Sequence, residues 1–414
     1  MQAVELYFAG IRIFWNIIDT TVLDSQKSPA LLYDQPSTAI ILNQSLNSHT
    51  KEYLSMKAAV CYEFGKPLVV EEVRLDPPQA GEVKAKIVAC AICHSDVHWV
   101  RGEWGGTVPV VAGHEAAGVI TEIGPGVTRV KVGDPVVISL IRSCGHCFYC
   151  TIGRPYNCEG SFAMDRETRL HTKNGEPIVQ AMRTASFAEY VVVDQSQTVK
   201  VPADLPLDRA SLLACGVITG LGAVVNTAEV ETGSSVVVIG TGGVGLNAIQ
   251  GAVLSGAAKI IAIDLLDSKL QAARKFGATH TINGRSEDVV ATVLSLTENR
   301  GVDYAFVTVG SSRAIVQASN LVRKGGTTVI VGMPSNADAD VPINSHTLTT
   351  GRNIMGSNMG STRPSVDIPH LVELYQQGRL KLDELITKRY SLDQINEAIE
   401  SMERGEALRN VIVF

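Results

Sequence analysis

Six of the eight cysteines and one histidine fall into two patterns that suit zinc, and the two suit different tasks. Cys144-x2-Cys147-x2-Cys150-x7-Cys158 places four thiols within fifteen residues. A four-thiolate set fills every position of a tetrahedral Zn²⁺, so it holds a loop and leaves no labile site. Cys93, His114 and Cys215 form a dispersed second set, in the segments ICHSD, AGHEAAG and ACGVITG. Two thiolates and one imidazole leave a fourth position for water or substrate, where the metal can polarise an oxygen. Cys61 and Cys90 lie in strand-like segments without a ligand pattern and read as core.

A second chemistry is written further along. Gly240-x-Gly242-x-x-Gly245 stands between an apolar strand-like run, SSVVVIG, and a helix-like run, LNAIQGAVLSG. Asp264 ends the next strand-like run, KIIAID. The first glycine makes the turn, the second lets backbone reach a pyrophosphate, and the third lets helix pack close on strand. Helix N-terminal amides, including those of Gly243 and Val244, then face the phosphates. An acid at the end of the second strand accepts from the adenosine ribose and repels a 2'-phosphate, so NAD is favoured over NADP.

These residues need elements to position them. At 414 residues the chain exceeds one ordinary core and suggests two domains. From Met56 to about Pro202, short Val/Ile/Thr runs broken by Gly, Pro and Asp predict a barrel-like all-β region. From about residue 233, apolar strands alternate with helices, which predicts a parallel sheet covered on both faces. The segments IPHLVELYQQG to SLDQINEAIESMERG read as amphipathic helix, and RNVIVF as a strand that can return to the first domain. Residues 1–55 read as a disordered extension or a misassigned start, with Met56 opening the first strand.

Hydrophobic content of 45% with 19% charged residues fits a globular chain, and a net charge of -6 argues against nucleic acid or an anionic membrane. No membrane span is expected, because no run of uncharged apolar residues is long enough. Clustered CxxC spacing favours metal in a reducing compartment over disulfides, which points to the cytoplasm.

In their order, CHSD, GHEAAG, the four-cysteine run, ACGVITG and GTGGVG resemble the zinc-dependent medium-chain alcohol dehydrogenases, near the class III and aryl-alcohol branches. The resemblance runs from Met56 to Phe414. It implies a GroES-like catalytic barrel, residues 56–215 and 361–414, with a structural zinc lobe at 144–158. A Rossmann domain, residues 216–360, would be inserted into it. It also implies two zinc ions per chain: a catalytic one on Cys93, His114 and Cys215, and a structural one on Cys144, Cys147, Cys150 and Cys158.

Ser95 would pass on the alcohol proton and His98 would take it, the alternative for His98 being a solvated surface histidine. Asp96 and Glu115 would orient the histidine ligand and modulate the metal. His94 would meet the cofactor phosphates, Thr219 the nicotinamide, Lys269 the adenosine ribose and Arg409 the pyrophosphate. The family forms dimers or tetramers, with VPINSHTLTTGRNIMGS at the expected sheet edge.

The implied reaction is reversible hydride transfer from a primary aliphatic, allylic or aryl alcohol to NAD⁺. Leu140, Trp104, Ala181 and Met182 should line the cleft, with Phe162 near its mouth. The alternative substrate is S-(hydroxymethyl)glutathione. Trp104 and Phe162 stand where that subgroup carries its charged anchors, although Arg166 or Arg183 could supply charge. A non-catalytic NAD(P)-binding relative is the alternative of another class; such relatives usually lose zinc ligands, and all seven are present here.

Overall fold

The computed structural model describes residues 53–414. The first strand, Leu54–Cys61, begins two residues ahead of Met56, and most of the expected extension lies outside the described residues.

The nucleotide-type half forms a six-stranded sheet whose neighbouring strands all run parallel. Its strands in spatial order are His280–Asn283, Lys259–Asp264, Ser235–Ile239, Val302–Val307, Val322–Ile330 and Asn353–Gly356. Numbered along the chain, that order is 3-2-1-4-5-6, the doubly wound arrangement. Val236, Val237, Val238, Ile261 and Ala262 are wholly buried, which is why their runs are apolar on both faces. The switch point lies between Ser235–Ile239 and Val302–Val307, at whose carboxyl ends a ligand can enter.

The remaining strands form a five-stranded and a seven-stranded sheet, predominantly antiparallel. The strand Glu82–Ala91 is central, pairing with Glu115–Ile123, Tyr190–Asp194 and Arg409–Val413. The chain's last strand therefore returns to the first domain, as its apolar pattern predicts. Cys61 and Cys90 are buried in this half's core.

Two expectations need correction. The all-β reading of 56–202 missed the helix His94–Val100, because a single seven-residue helix carries too little periodicity to stand out. The closing helical reading missed the strand Ile386–Tyr390 between helices Pro364–Gln376 and Ile395–Glu403. Among the described residues no single helix is long and apolar enough to cross a membrane.

Candidate active site and metal centres

The strand Glu82–Ala91 ends just before Cys93, which caps the helix His94–Val100. Asp96 in the first turn closes the cap, its Oδ2 accepting from the Cys93 amide at 3.0 Å. The other oxygen, Oδ1, accepts from the Gly113 amide at 2.8 Å and lies 2.9 Å from His114 Nδ1. One wholly buried carboxylate thus fixes the backbone of one metal candidate and the ring of another. With Nδ1 engaged, His114 Nε2 is left buried without a hydrogen-bond partner among the described residues. Such an orphaned nitrogen suits a metal, since a ligating histidine donates its other N–H to a carboxylate. Cys215 arrives from the junction of the turn Ser211–Ala214 and the helix Gly216–Gly222. The ligand atoms of Cys93, His114, Glu115 and Cys215 lie within 4.8 Å of one another. Two thiols, an imidazole and a carboxylate, all buried, fit Zn²⁺.

The ionisable groups of the cluster shift one another. The Cys215 hydrogen bond holds the Cys93 thiol well below its ordinary value, while Cys93 and burial push Cys215 well above its own. Burial opposes charge on His114, yet Asp96 and Cys93 outweigh it and raise its pKa. Burial pushes Glu115 up to about 8 against the pull of Arg409. Glu115 stands among the ligand atoms and faces Arg409, Nη2 to Oε1 at 3.1 Å.

Arg409 in turn ties the metal pocket to the glycine turn. Its Nη1 donates to the Ile92 carbonyl at 3.1 Å. A Cβ on Gly216 would sit 1.7 Å from its Nη2, and one on Gly243 2.1 Å from its Nε, so both positions must be glycine for the guanidinium to lie there. Desolvation, with Arg409, Lys269 and His98 adding to it, holds His94 below its ordinary pKa. The charges of Arg409 and Lys269 thus act on His94, and Arg409 lies against Gly243, the first residue of the helix Gly243–Leu254. Gly240 has φ +88, which permits the turn, and a Cβ on Gly245 would lie 1.8 Å from the Gly240 oxygen. A Cβ on Gly242 would meet nothing within 4 Å, so space is open where a pyrophosphate approaches. Asp264 ends its strand as predicted, and Oδ2 accepts from the Thr241 amide at 2.7 Å and hydroxyl at 2.9 Å.

Ser95 and His98 are three residues apart on one short helix and so share a face. His98 Nδ1 pairs with Glu103, and its ring stacks on Trp104 at 4.7 Å. Glu103 was not foreseen; nothing in RGEW marks it as a partner. Thr219 Oγ1 lies 3.9 Å from Cys215 Sγ and 3.8 Å from Met359 Sδ. Met359 opens onto a cavity of about 650 Å³ that Leu140 and Met182 also line. Ala181, wholly buried, and Trp104 are not among the residues lining this cavity, whereas Ile141, Tyr156 and Asn358 are; Phe162 packs its ring against the cavity-lining Arg142 at 4.3 Å.

The second metal candidate is separate. Cys144, Cys147, Cys150 and Cys158 present sulfurs within 4.8 Å of one another, with Cys147 and Cys158 at 3.9 Å. Zn–S bonds of about 2.3 Å in a tetrahedron require about 3.8 Å between sulfurs, so the set fits zinc. Amides of Cys144 and Gly160 both lie 3.3 Å from Cys158 Sγ, which suits a thiolate. Backbone amides, chiefly that of Cys150, hold Cys147 down to about 6.

Comparison with known proteins agrees with this geometry. Residues 79–203 match the alcohol dehydrogenase GroES-like domain, and residues 243–377 the zinc-binding dehydrogenase domain. The NDMA-dependent alcohol dehydrogenase of Amycolatopsis methanolica is 39% identical, covering 87% of this chain and 99% of that protein. The S-(hydroxymethyl)glutathione dehydrogenase of Paracoccus denitrificans is also 39% identical, over 86% of this chain and 99% of its own. The crystal structure of benzyl alcohol dehydrogenase from Acinetobacter calcoaceticus superposes with TM-score 0.82 at 34% identity, over 87% of this chain and 99% of that one. A GroES-like domain, a doubly wound domain, a buried Cys/His/Cys cluster and relatives matched over 99% of their length leave one assignment: the chain belongs to the zinc-dependent medium-chain alcohol dehydrogenases, which use NAD(H).

Proposed function

We propose that this enzyme oxidises primary alcohols, aliphatic, allylic or aryl, to aldehydes with NAD⁺, and runs the reverse reaction. The observation that carries the reading is the orphaned His114 Nε2 beside two thiols, with a neighbouring cavity approached through Thr219 and Met359. Zinc held by Cys93, His114 and Cys215 supplies Lewis acidity to the substrate hydroxyl, and NAD⁺ supplies the hydride acceptor. Asp96 fixes the His114 tautomer, and Arg409 holds Glu115 against the same pocket. Ser95 takes the hydroxyl proton and His98 receives it, with Glu103 stabilising the imidazolium. Leu140, Met182 and Met359 supply apolar surface for the carbon skeleton of the alcohol. Thr219 backs the nicotinamide, Asp264 and Lys269 hold the adenosine ribose, and His94, Arg409 and the amides from Gly240 to Gly245 take the pyrophosphate. Cys144, Cys147, Cys150 and Cys158 hold a structural zinc.

We place the catalytic domain at 56–215 and 361–414 and the nucleotide domain at 216–360, which follows the membership of the sheets. We assign the enzyme to the cytoplasm, which the eight free cysteines support. A homodimer is the preferred assembly, because Asn353–Gly356 is an edge strand whose free side can pair with a second copy.

The test is NADH formation by zinc-replete protein with benzyl alcohol, hexanol and ethanol beside formaldehyde plus glutathione. Turnover of the free alcohols, with formaldehyde and glutathione inert, is expected. Turnover of the glutathione adduct alone would replace this substrate class with the thiol adduct named for the Paracoccus relative.

A further inference from the structure

His98 is gripped by two residues of the loop that follows its own helix. The Glu103 amide donates to the His98 carbonyl at 3.0 Å, which folds the loop back over the helix. Gly102 makes that reversal with φ +69, and a Cβ there would sit 2.8 Å from the Phe64 ring. The Glu103 carboxylate then pairs with His98 Nδ1, and the Trp104 ring stacks on the imidazole at 4.7 Å and 25°. A carboxylate only accepts, so it draws the ring N–H to Nδ1 and leaves Nε2 free for a proton. Arg101 Nη1 is 4.0 Å from Glu103, but Arg101 also pairs with Glu403, which leaves the Glu103 carboxylate to His98.

The same two residues are engaged from the opposite side. Trp104 Nε1 donates to the Pro334 carbonyl at 3.0 Å, and the Asn336 amide donates to the Glu103 carbonyl at 3.3 Å. Pro334 and Asn336 lie on the loop that follows the parallel-sheet strand Val322–Ile330. Asp338 pins this loop by accepting from the Ser312 amide at 3.0 Å, at the start of the helix Ser312–Leu321. The loop is also packed toward the glycine turn. A Cβ on Gly310 would lie 2.2 Å from the Met333 oxygen, and one on Gly240 2.3 Å from Val309 Cγ1. Close contacts therefore run from Gly240 through Val309, Gly310, Met333 and Pro334 to Trp104 and His98.

We propose, on the dehydrogenase reading that makes His98 the proton acceptor, that Glu103 and Trp104 are its positioning residues and that the loop at 333–338 holds them in place. Glu103 selects the tautomer with Nε2 free, and Trp104 restrains the ring in that orientation. Seating of the cofactor-side loop and readiness of the acceptor are thereby one event. In the reaction the substrate O–H bond breaks, Ser95 relays the proton, and an N–H bond forms at His98 Nε2. Glu103 balances the imidazolium until the proton passes to water, while the hydride goes separately to NAD⁺.

The experiment uses zinc-replete enzyme carrying ¹⁵N-labelled histidine, as wild type, Glu103→Gln, Glu103→Ala and Trp104→Phe, with His98→Gln to assign the signals. Ring nitrogen shifts report the His98 tautomer without any turnover. Single-turnover NADH formation from benzyl alcohol gives the chemical step and its dependence on alcohol concentration, and rapid displacement gives the rate of NADH release. Wild type should show Nδ1 protonated and Nε2 free. Glu103→Ala should mix the tautomers and slow the chemical step about 10- to 100-fold at unchanged alcohol affinity; Gln, which still accepts from Nδ1, should fall between. Trp104→Phe keeps the stack but deletes the donor to Pro334, so NADH release should quicken about 3- to 10-fold. Mixed tautomers in the wild type, or an unslowed chemical step in Glu103→Ala, would overturn the positioning role. Unchanged NADH release in Trp104→Phe would overturn the part given to the loop. A fixed tautomer that Glu103→Ala releases, in a protein that oxidises no alcohol, would uphold the positioning and overturn the dehydrogenase reading instead.

Discussion

Asp96 shows how much one carboxylate can decide. It fixes the Cys93 amide, the Gly113 amide and the His114 ring together, so its removal loosens two members of one candidate metal cluster and none of the other. Asp96→Asn should weaken zinc at the Cys93/His114/Cys215 site about 10- to 100-fold, the usual cost of losing such a partner. Chelator competition would measure this, with the four-cysteine zinc as internal control; equal retention of both ions would remove Asp96 from the role. That these thiols and the histidine gather into two clusters was legible, because thiols and imidazoles at metal spacing have few other uses. Arg142, Glu103 and Met359 were not. Their meaning depends on neighbours far away in the chain, and an arginine two residues before a cysteine carries no local signal.

At the scale of elements, the four-cysteine lobe is a loop with little core of its own. Cys144, Cys147, Cys150 and Cys158 are only partly buried, and the helix Phe148–Thr151 between them buries no side chain. Metal must then replace the missing apolar burial. Cys147→Ser should lower the thermal midpoint and solubility before it alters kcat for the alcohol; a stable protein with only slowed turnover would show that the roles of the two metals are misassigned. The parallel sheet was readable from its double-sided apolar strands. The helix His94–Val100 was not, since its seven residues are fixed by the Cys93 cap and Asp96 rather than by periodicity.

For the molecule as a whole, the late chain is fastened to the early chain by charge as well as by strands. Asp208 accepts from Arg209 and, at 2.8 Å, from Arg389 on the strand Ile386–Tyr390. Burial opposes the Asp208 charge, but the two arginines outweigh it and hold its pKa below the ordinary carboxylate range. A depressed carboxylate contributes stability above its unfolded pKa of about 3.9 and loses it as pH falls through the folded value. Asp208→Asn should therefore cost about 1–2 kcal/mol at pH 7. Denaturation measured from pH 7 down to 4 should show a constant gap that begins to narrow only near the acid end; a gap that widens with acid would contradict the assignment.

The strand Arg409–Val413 lies beside Glu82–Ala91 and carries the guanidinium that meets both the metal acid and the glycine turn. A ribosome delivers these partners in a fixed order. The six strands of the parallel sheet are contiguous in sequence and can collapse as they emerge, whereas the barrel waits half-made until the final strand is synthesised. The chain order thus brings out all six strands of the parallel sheet before the strand that sets Arg409 beside Glu115 and Gly243.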